Sequence, residues 1–267
     1  MKPPVYSSDW SDEVKILYQH DIFEIWDRKK APHIWNQYHN QLDHYLNLVG
    51  DGTKTILDVG CAQGTLALLL AEIGHHVTAV DLRPEFLEYA RSRHEYGDIR
   101  FLAANVLDER NPISGSYDLI FANQLIEHLV YPGQLLLRLK KLLKPGGRLI
   151  VTTPNGKYIK NNLPSFKQIG NPKDWEHKQF TADGDGHFFA YLPEELLAVF
   201  EENGYVDIET NYFETPLISG HMKIRHIHPF LPAVLLRFLD HALTVLPWLG
   251  GRLSHQLMVS GYVPEGD

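Results

Sequence analysis

The chain has 267 residues, 44% of them hydrophobic, which suits one large α/β domain or such a domain with a helical cap. A net charge of −8 argues against a protein built mainly to grip nucleic acid, because phosphate binding needs a basic face, although a local basic patch around Lys157, Lys160 and Lys167 stays open. The single cysteine, Cys61, excludes an internal disulfide, and Met1-Lys2-Pro3-Pro4 runs into polar residues rather than an apolar signal segment, so the expected location is cytoplasmic.

In chain order, residues 1–52 are expected to form an N-terminal helical cap. Ile34, Trp35, Tyr38, Leu42, Tyr45 and Leu46 recur at spacings of three and four and make one apolar, aromatic stripe. From residue 53 the pattern changes. Thr55 to Val59 is a short apolar run ending in Asp58-Val59-Gly60. A small-residue loop follows, Cys61-Ala62-Gln63-Gly64, then an apolar stretch of helix formers that stops at Gly74. This reads as a strand, a tight glycine turn and a helix. It places backbone N–H groups and a carboxylate at the carboxyl end of a parallel strand, where open α/β sheets bind ligands. His76 to Asp81 reads as a second buried strand ending in an acid. Further strands are expected at 99–106, 117–124 and 143–154, alternating with helices, hence a parallel sheet with right-handed crossovers.

Residues 155–190 break regular structure repeatedly, through Asn155-Gly156, Pro164, Gly170-Asn171-Pro172 and Asp183-Gly184-Asp185-Gly186. A loop of this length inside a domain is usually functional or disordered, and this one follows the fifth strand, so it is expected to be an acceptor lid. A helix is expected over 193–203, closed by Gly204, then a sixth strand at 205–213 and a last one at 255–263. Between them, 214–253 is an apolar helical insert. Arg237, Asp240, His241 and Thr244 fall at helical spacing and form a polar stripe opposite a broad apolar face. Pro232, Pro247 and the central charges count against a transmembrane span. Core packing or a dimer contact is the first expectation for this face. A greasy acceptor site or a peripheral membrane contact through 229–249 is the second.

The glycine turn does not suit a dinucleotide. Ala62 and Thr65 stand where G-x-G-x-x-G requires glycine, and no Lys-Ser/Thr follows to make a P-loop. Asp58-x-Gly60-x-Ala62-x-Gly64 instead resembles motif I of the class I S-adenosylmethionine-dependent methyltransferases. The resemblance continues in order: Asn105-Val106 after strand three, Leu125-Ile126-Glu127-His128-Leu129 after strand four, Lys144-Pro145-Gly146-Gly147 before strand five, and His187-Phe188-Phe189 ahead of Pro193-Glu194-Glu195-Leu196. It covers about residues 53–213 and implies a seven-stranded Rossmann-like sheet, mostly parallel with the last strand antiparallel, in a methyltransferase domain over 53–267.

The resemblance also implies site residues and a cofactor, S-adenosylmethionine. Asp58 would place negative potential near its ammonium. Gly60, Cys61, Ala62 and Gly64 would let the backbone approach the methionine portion, with Cys61 a small residue rather than a nucleophile. Asp81 would accept both ribose hydroxyls, with Leu82 beside it. Asn105 stands where the family has an Asp that contacts the adenine amino group, and can accept through its carbonyl without bringing charge; Val106 flanks it. Asn123 and Gln124 close the pocket at strand four. Trp35, Tyr38 and His39 either pack the cap onto the sheet or also line the pocket, as N-terminal helices do in the family.

For catalysis His128 is the leading base for a hydroxyl acceptor, with His187 second and Glu127 beside them. Glu127, His128 and His187 resemble the metal ligands of some ubiquinone-pathway O-methyltransferases and of small-RNA 2′-O-methyltransferases. The RNA enzymes use Glu-x-x-Glu-His, however, and here the first position is Gln124. Losing that hard oxygen ligand weakens a magnesium or manganese site, so no metal is expected. The expected function is methyl transfer to a small or lipid-linked acceptor, on the hydroxyl of a glycan, isoprenoid or polyketide-like molecule. The rivals are a metal-assisted RNA ribose methyltransferase and a non-catalytic cofactor-binding scaffold. A nucleic-acid partner is not expected, and a homodimer is compatible with the apolar insert.

Overall fold

Runs rich in Leu, Ile and Val, too short for helices and bounded by Gly, Asp and Asn, form the centre of the computed structural model, which describes residues 1–108, 110, 113–179 and 187–266. The strands are β1 (Thr55–Val59), β2 (His76–Asp81), β3 (Asp98–Ala103), β4 (Tyr117–Asn123), β5 (Leu143–Pro154), β6 (Val206–Phe213) and β7 (Gln256–Tyr262). They make one seven-stranded sheet in the order β3-β2-β1-β4-β5-β7-β6. β1 to β5 run parallel, and β7 lies antiparallel between β5 and β6. The strand order reverses between β1 and β4, so their carboxyl ends splay apart there and leave the crevice in which such sheets bind ligands.

Helices α3 (Thr65–Glu72), α4 (Pro84–Arg93), α5 (Pro132–Lys140) and α6 (Pro193–Glu202) cover the faces. Ile56, Leu57, Ile120, Phe121, Leu149 and Ile150 are fully buried between them. Two glycines at the turn into α3 have positive φ, Gly60 at +72° and Gly64 at +73°. Gly64 also has no room for a side chain, since a Cβ would stand 2.8 Å from the Cβ of Ala90 on α4.

The cap consists of α1 (Asp12–Asp21), a π-turn at Ile22–Trp26 and α2 (Pro32–Leu48). The Ser11 hydroxyl accepts from the Val14 N–H and starts α1, while Pro32 opens α2. Leu42 and Tyr45 carry the predicted stripe into a core shared with Phe121 and Phe213. A buried polar joint also fastens the cap. Asp21 and Arg93 of α4 are both fully buried and 2.8 Å apart. Arg93 donates to the Gln63 carbonyl at 2.8 Å and to the Thr65 hydroxyl at 3.1 Å. Tyr89 and Trp26 donate to Asp21 at 2.8 and 3.1 Å.

Two expectations change in form. Residues 155–179 are more regular than their breaks suggest. They carry two 3-10 helices, Phe166–Ile169 and Pro172–Lys178, the first with a capping box in which the Ser165 backbone donates to Gln168. The Trp175 indole donates to the Ile169 carbonyl and stacks flat on Phe188. The remainder of the expected lid, 180–186 with its Asp183-to-Gly186 run, lies outside the described residues.

The second change concerns the insert, which comprises α7 (Pro216–Ser219), a 3-10 turn at Ile224–His226, α8 (Ala233–Thr244) and α9 (Gly250–Leu253). Part of the polar stripe of α8 turns inward with Leu236, while His241 stays exposed. Asp240 is buried and accepts from the Thr215 N–H at 2.6 Å and its hydroxyl at 2.7 Å, and Arg237 pairs with Asp43 of α2. The broad apolar face points to solvent, so core packing is not its role. Hydrogen bonding decided the orientation: the Thr215 N–H at the start of α7 needs an acceptor, and Asp240 supplies it.

Candidate functional site

A cavity of about 490 Å³ opens at the switch point between β1 and β4. Its wall contains Gly60 after β1, Asp81 and Leu82 after β2, Asn105 and Val106 after β3, and Gln124 and His128 after β4. These seven predicted residues therefore meet in one place. The others stand behind the wall. Cys61 is buried, Ala62 and Gly64 shape the turn, and Asn123 accepts from the Thr152 hydroxyl at 3.0 Å.

Asp58 is also behind the turn, nearly fully buried, where burial and the charge of Asp81 push its carboxyl up to about 7. A cation brought near lowers that value and is favoured by the ionised form in return. Trp35, Tyr38 and His39 do not reach the cavity. Trp35 and His39 stack on each other at 3.7 Å, and the Tyr38 hydroxyl accepts from Gln63, so the packing reading holds for all three.

The acid at the end of β2 is already engaged. Asp81 is nearly fully buried and accepts from the Ala62 N–H at 3.0 Å, the Arg83 N–H at 3.0 Å and the Arg83 Nε at 3.0 Å. An ionised carboxylate has about four acceptor sites, so a diol shares Asp81 with these donors or displaces the half-exposed Arg83 side chain. Arg83, which sequence reasoning missed, thus guards the acid, stacked at 3.8 Å over Phe86. Its signal was its place two residues after Asp81. Glu13 of α1 and Lys178 also line the cavity, and nothing in their local pattern marks them. Asn105 Oδ1 accepts from the Leu107 N–H at 2.9 Å.

Backbone strain gathers here. Ala62 and Gln124 have φ of +46° and +49°, conformations that non-glycine residues seldom adopt. Gln124 is held there by its N–H to the Thr152 carbonyl at 2.9 Å and by its side-chain amide, which donates to Gln256 at 2.9 Å.

His128 closes a 3-10 turn, Ile126–His128, directly after β4. The same turn sends Glu127 into the core, where it is fully buried and burial pushes its carboxyl up to about 8. His187 follows directly on residues 180–186. Its ring centre is 4.9 Å from that of His128, and its Nε2 is 3.6 Å from Glu127 Oε1. The three candidate catalytic residues therefore cluster, with one ligand atom of each within 4.8 Å of the others, and His128 brings the cluster to the cavity wall.

The cavity fits the cofactor expected from the sequence. A buried acid lines it at the end of β2, a glycine turn with positive φ leaves room for close approach to the backbone, and a neutral amide stands after β3. Residues 34–210, about two thirds of the chain, match the methyltransferase domain family. The chain belongs to that family. It is a class I methyltransferase, and S-adenosylmethionine is the cofactor of this fold.

The methyltransferase is 39% identical over 119 residues to a ubiquinone biosynthesis O-methyltransferase of Xylella fastidiosa, a match covering 43% of this chain and 48% of that protein. It thus spans about half the length of the curated relatives it matches. Two solved structures share the fold. A SAM-dependent methyltransferase from Archaeoglobus fulgidus has a TM-score of 0.54 at 15% identity, covering 85% of this chain and 94% of that one. Phosphoethanolamine N-methyltransferase 2 of Haemonchus contortus, solved with S-adenosyl-L-methionine, has a TM-score of 0.54 at 18% identity, covering 92% of this chain and 60% of that one.

If Asp81 holds the ribose, Asp81→Ala should weaken S-adenosylmethionine binding greatly. Hydrogen bonds to charged groups contribute about 1.5–3 kcal/mol, or roughly ten- to over a hundredfold in affinity. Part of the loss will come from the Ala62 N–H, which also needs this acceptor. Calorimetric titration of the folded variant measures it. Unchanged affinity would remove Asp81 from the site.

Proposed function

We propose that this methyltransferase acts in the cytoplasm on a hydroxyl oxygen of a small or lipid-linked acceptor, of glycan, isoprenoid or polyketide-like type. One observation carries the reading: an imidazole, His128, stands on the wall of the cofactor cavity with a second imidazole and a buried carboxyl behind it. The O-methyltransferase name of the Xylella relative supports oxygen as the target.

Bound S-adenosylmethionine supplies a methyl group on a positively charged sulfur, already an excellent leaving group. The protein must therefore chiefly hold the acceptor in line and exclude water. A hydroxyl gains from losing its proton as it attacks, and His128 is placed to accept that proton on a ring nitrogen. Glu127 is uncharged at neutral pH by virtue of its burial. It then presents a carboxylic acid that can donate to an imidazole nitrogen. His187, partly exposed on the acceptor side, orients the acceptor or the His128 ring. An acceptor screen with methyl-labelled cofactor, run on extracts with and without their lipid fraction, tests the reading. Labelling confined to protein or RNA would sink it.

The clustering of Glu127, His128 and His187 favours a second reading, metal-assisted ribose methylation of RNA. One feature weighs against it: Gln124 commits its side-chain amide to Gln256 instead of offering a carboxylate. We therefore expect EDTA to leave initial rates nearly unchanged. A strong loss restored by magnesium or manganese would reverse the ranking.

A further inference from the structure

More than half of the large apolar side chains exposed on the described surface fall within one stretch, residues 222–249. On α8 Val234 is 78% exposed and Phe238 68%, with Leu235 and Leu239 beside them. Before and after the helix, Phe230 and Trp248 are each 83% exposed. Scattered exposed hydrophobic residues need no explanation, but a contiguous helix face with aromatic tips at both ends does. Nothing on the described chain covers it, because Asp240 and Arg237 tie the opposite side of the helix to the protein.

The charge of this segment identifies what does cover it. On a chain of net −8, the stretch 214–253 carries Lys223, Arg225, Arg237 and Arg252 against two carboxylates, Glu214 and Asp240. Both carboxylates are buried, whereas Lys223, Arg225 and Arg252 are exposed. Among the described residues of this stretch, Arg237 alone pairs with a surface carboxylate, Asp43 of α2. The charges that 214–253 itself exposes are thus cationic, on a molecule whose acidic excess lies elsewhere in the sequence. A second copy would bring like cations together across a two-fold contact, which disfavours that occupant. An anionic lipid surface pairs with the cations and takes up the aromatic tips.

We propose that α8 and its flanks, 227–232 and 245–249, dock the methyltransferase on the surface of an anionic lipid bilayer. The helix lies in the interface and does not cross it, since no described helix is long and apolar enough to span a membrane. The net negative charge of the rest of the molecule faces away from the lipid and fixes the orientation. The root of the insert packs on the segment that follows β5 and on the approach to β7: the Tyr158 hydroxyl and His221 Nδ1 are 3.1 Å apart, and the His221 ring is 4.4 Å from that of His255. The inference does not depend on the acceptor chemistry proposed above, because binding is read without turnover.

Flotation of the full chain with vesicles tests it, using phosphatidylcholine alone and phosphatidylcholine mixed with phosphatidylglycerol. The protein should float with the anionic vesicles, and much less with the neutral ones or in high salt. The triple variant Phe230→Ser, Phe238→Ser, Trp248→Ser should lower vesicle partitioning at least about tenfold, given the apolar area removed. Lys223→Glu with Arg225→Glu and Arg252→Glu should erase the preference for anionic lipid. All six side chains are exposed, so both variants should keep wild-type S-adenosylmethionine affinity, which shows that they fold. Failure to float with anionic vesicles would overturn the proposal. So would self-association in a sedimentation experiment that the triple variant abolishes, which would assign the face to a second copy.

Discussion

His128→Ala is expected to lower kcat by about 10²–10⁴, the usual contribution of a positioned general base. The reason is geometric. The ring sits on the wall of the cofactor cavity at the end of β4, next to the point where the sheet order reverses. Asp81 and Asn105, the residues proposed to hold the cofactor's ribose and adenine, line the cavity at the ends of β2 and β3. Affinity for S-adenosylmethionine should therefore change far less than kcat. His187→Ala should be milder, because His187 reaches the site through its contacts with His128 and Glu127. The comparison is made at saturating cofactor across several pH values. A near-wild-type kcat for His128→Ala would leave catalysis to positioning alone or to His187. Loss of cofactor binding in that variant would move His128 into the cofactor pocket and end the catalytic assignment.

Asp21→Ala should destabilise the fold by about 3–5 kcal/mol and lower Tm by roughly 6–20 °C. Asp21 is a costly residue to bury: desolvation raises its pKa more than Arg93 and the bonds from Tyr89 and Trp26 lower it. Removing it is costlier, because the Arg93 guanidinium is then left charged and fully buried. Arg93 also holds the Gln63 carbonyl and the Thr65 hydroxyl, so the damage should spread from the cap to the cofactor loop. Adding Arg93→Met should recover part of the stability, but not the loop contacts. Thermal melts with and without cofactor read both effects. If Asp21→Ala melts with the wild type, the cap is fastened by its apolar stripe alone.

The parts of the fold that rest on local rules were legible in the residues. β1, the Gly60–Gly64 turn and α3 follow from an apolar run, two glycines that must adopt positive φ, and a stretch of helix formers. The cavity wall followed because the chain delivers Gly60, Asp81, Asn105, Gln124 and His128 at successive strand ends, and a parallel sheet brings strand ends together. Long-range pairing was not legible. Arg93 meets Asp21 across 72 positions, and no periodicity marks either residue. Arg83 engages Asp81 from two residues away, a contact that strand periodicity does not mark. The pattern of α8 established two faces but could not tell which one turns inward, since that depends on an unpaired N–H at Thr215. Glu127 and His187, 60 positions apart, were named as partners only through the family resemblance.

The central claim is that methyl transfer from S-adenosylmethionine ends on oxygen, beside His128. Its most direct test is to isolate the labelled product and locate the methyl carbon by NMR, while counting S-adenosylhomocysteine formed per methyl transferred. The account predicts one S-adenosylhomocysteine for each methyl ether or ester, and loss of both signals together in His128→Ala. A methyl group found on nitrogen or carbon, formed at the same rate without His128, would contradict it.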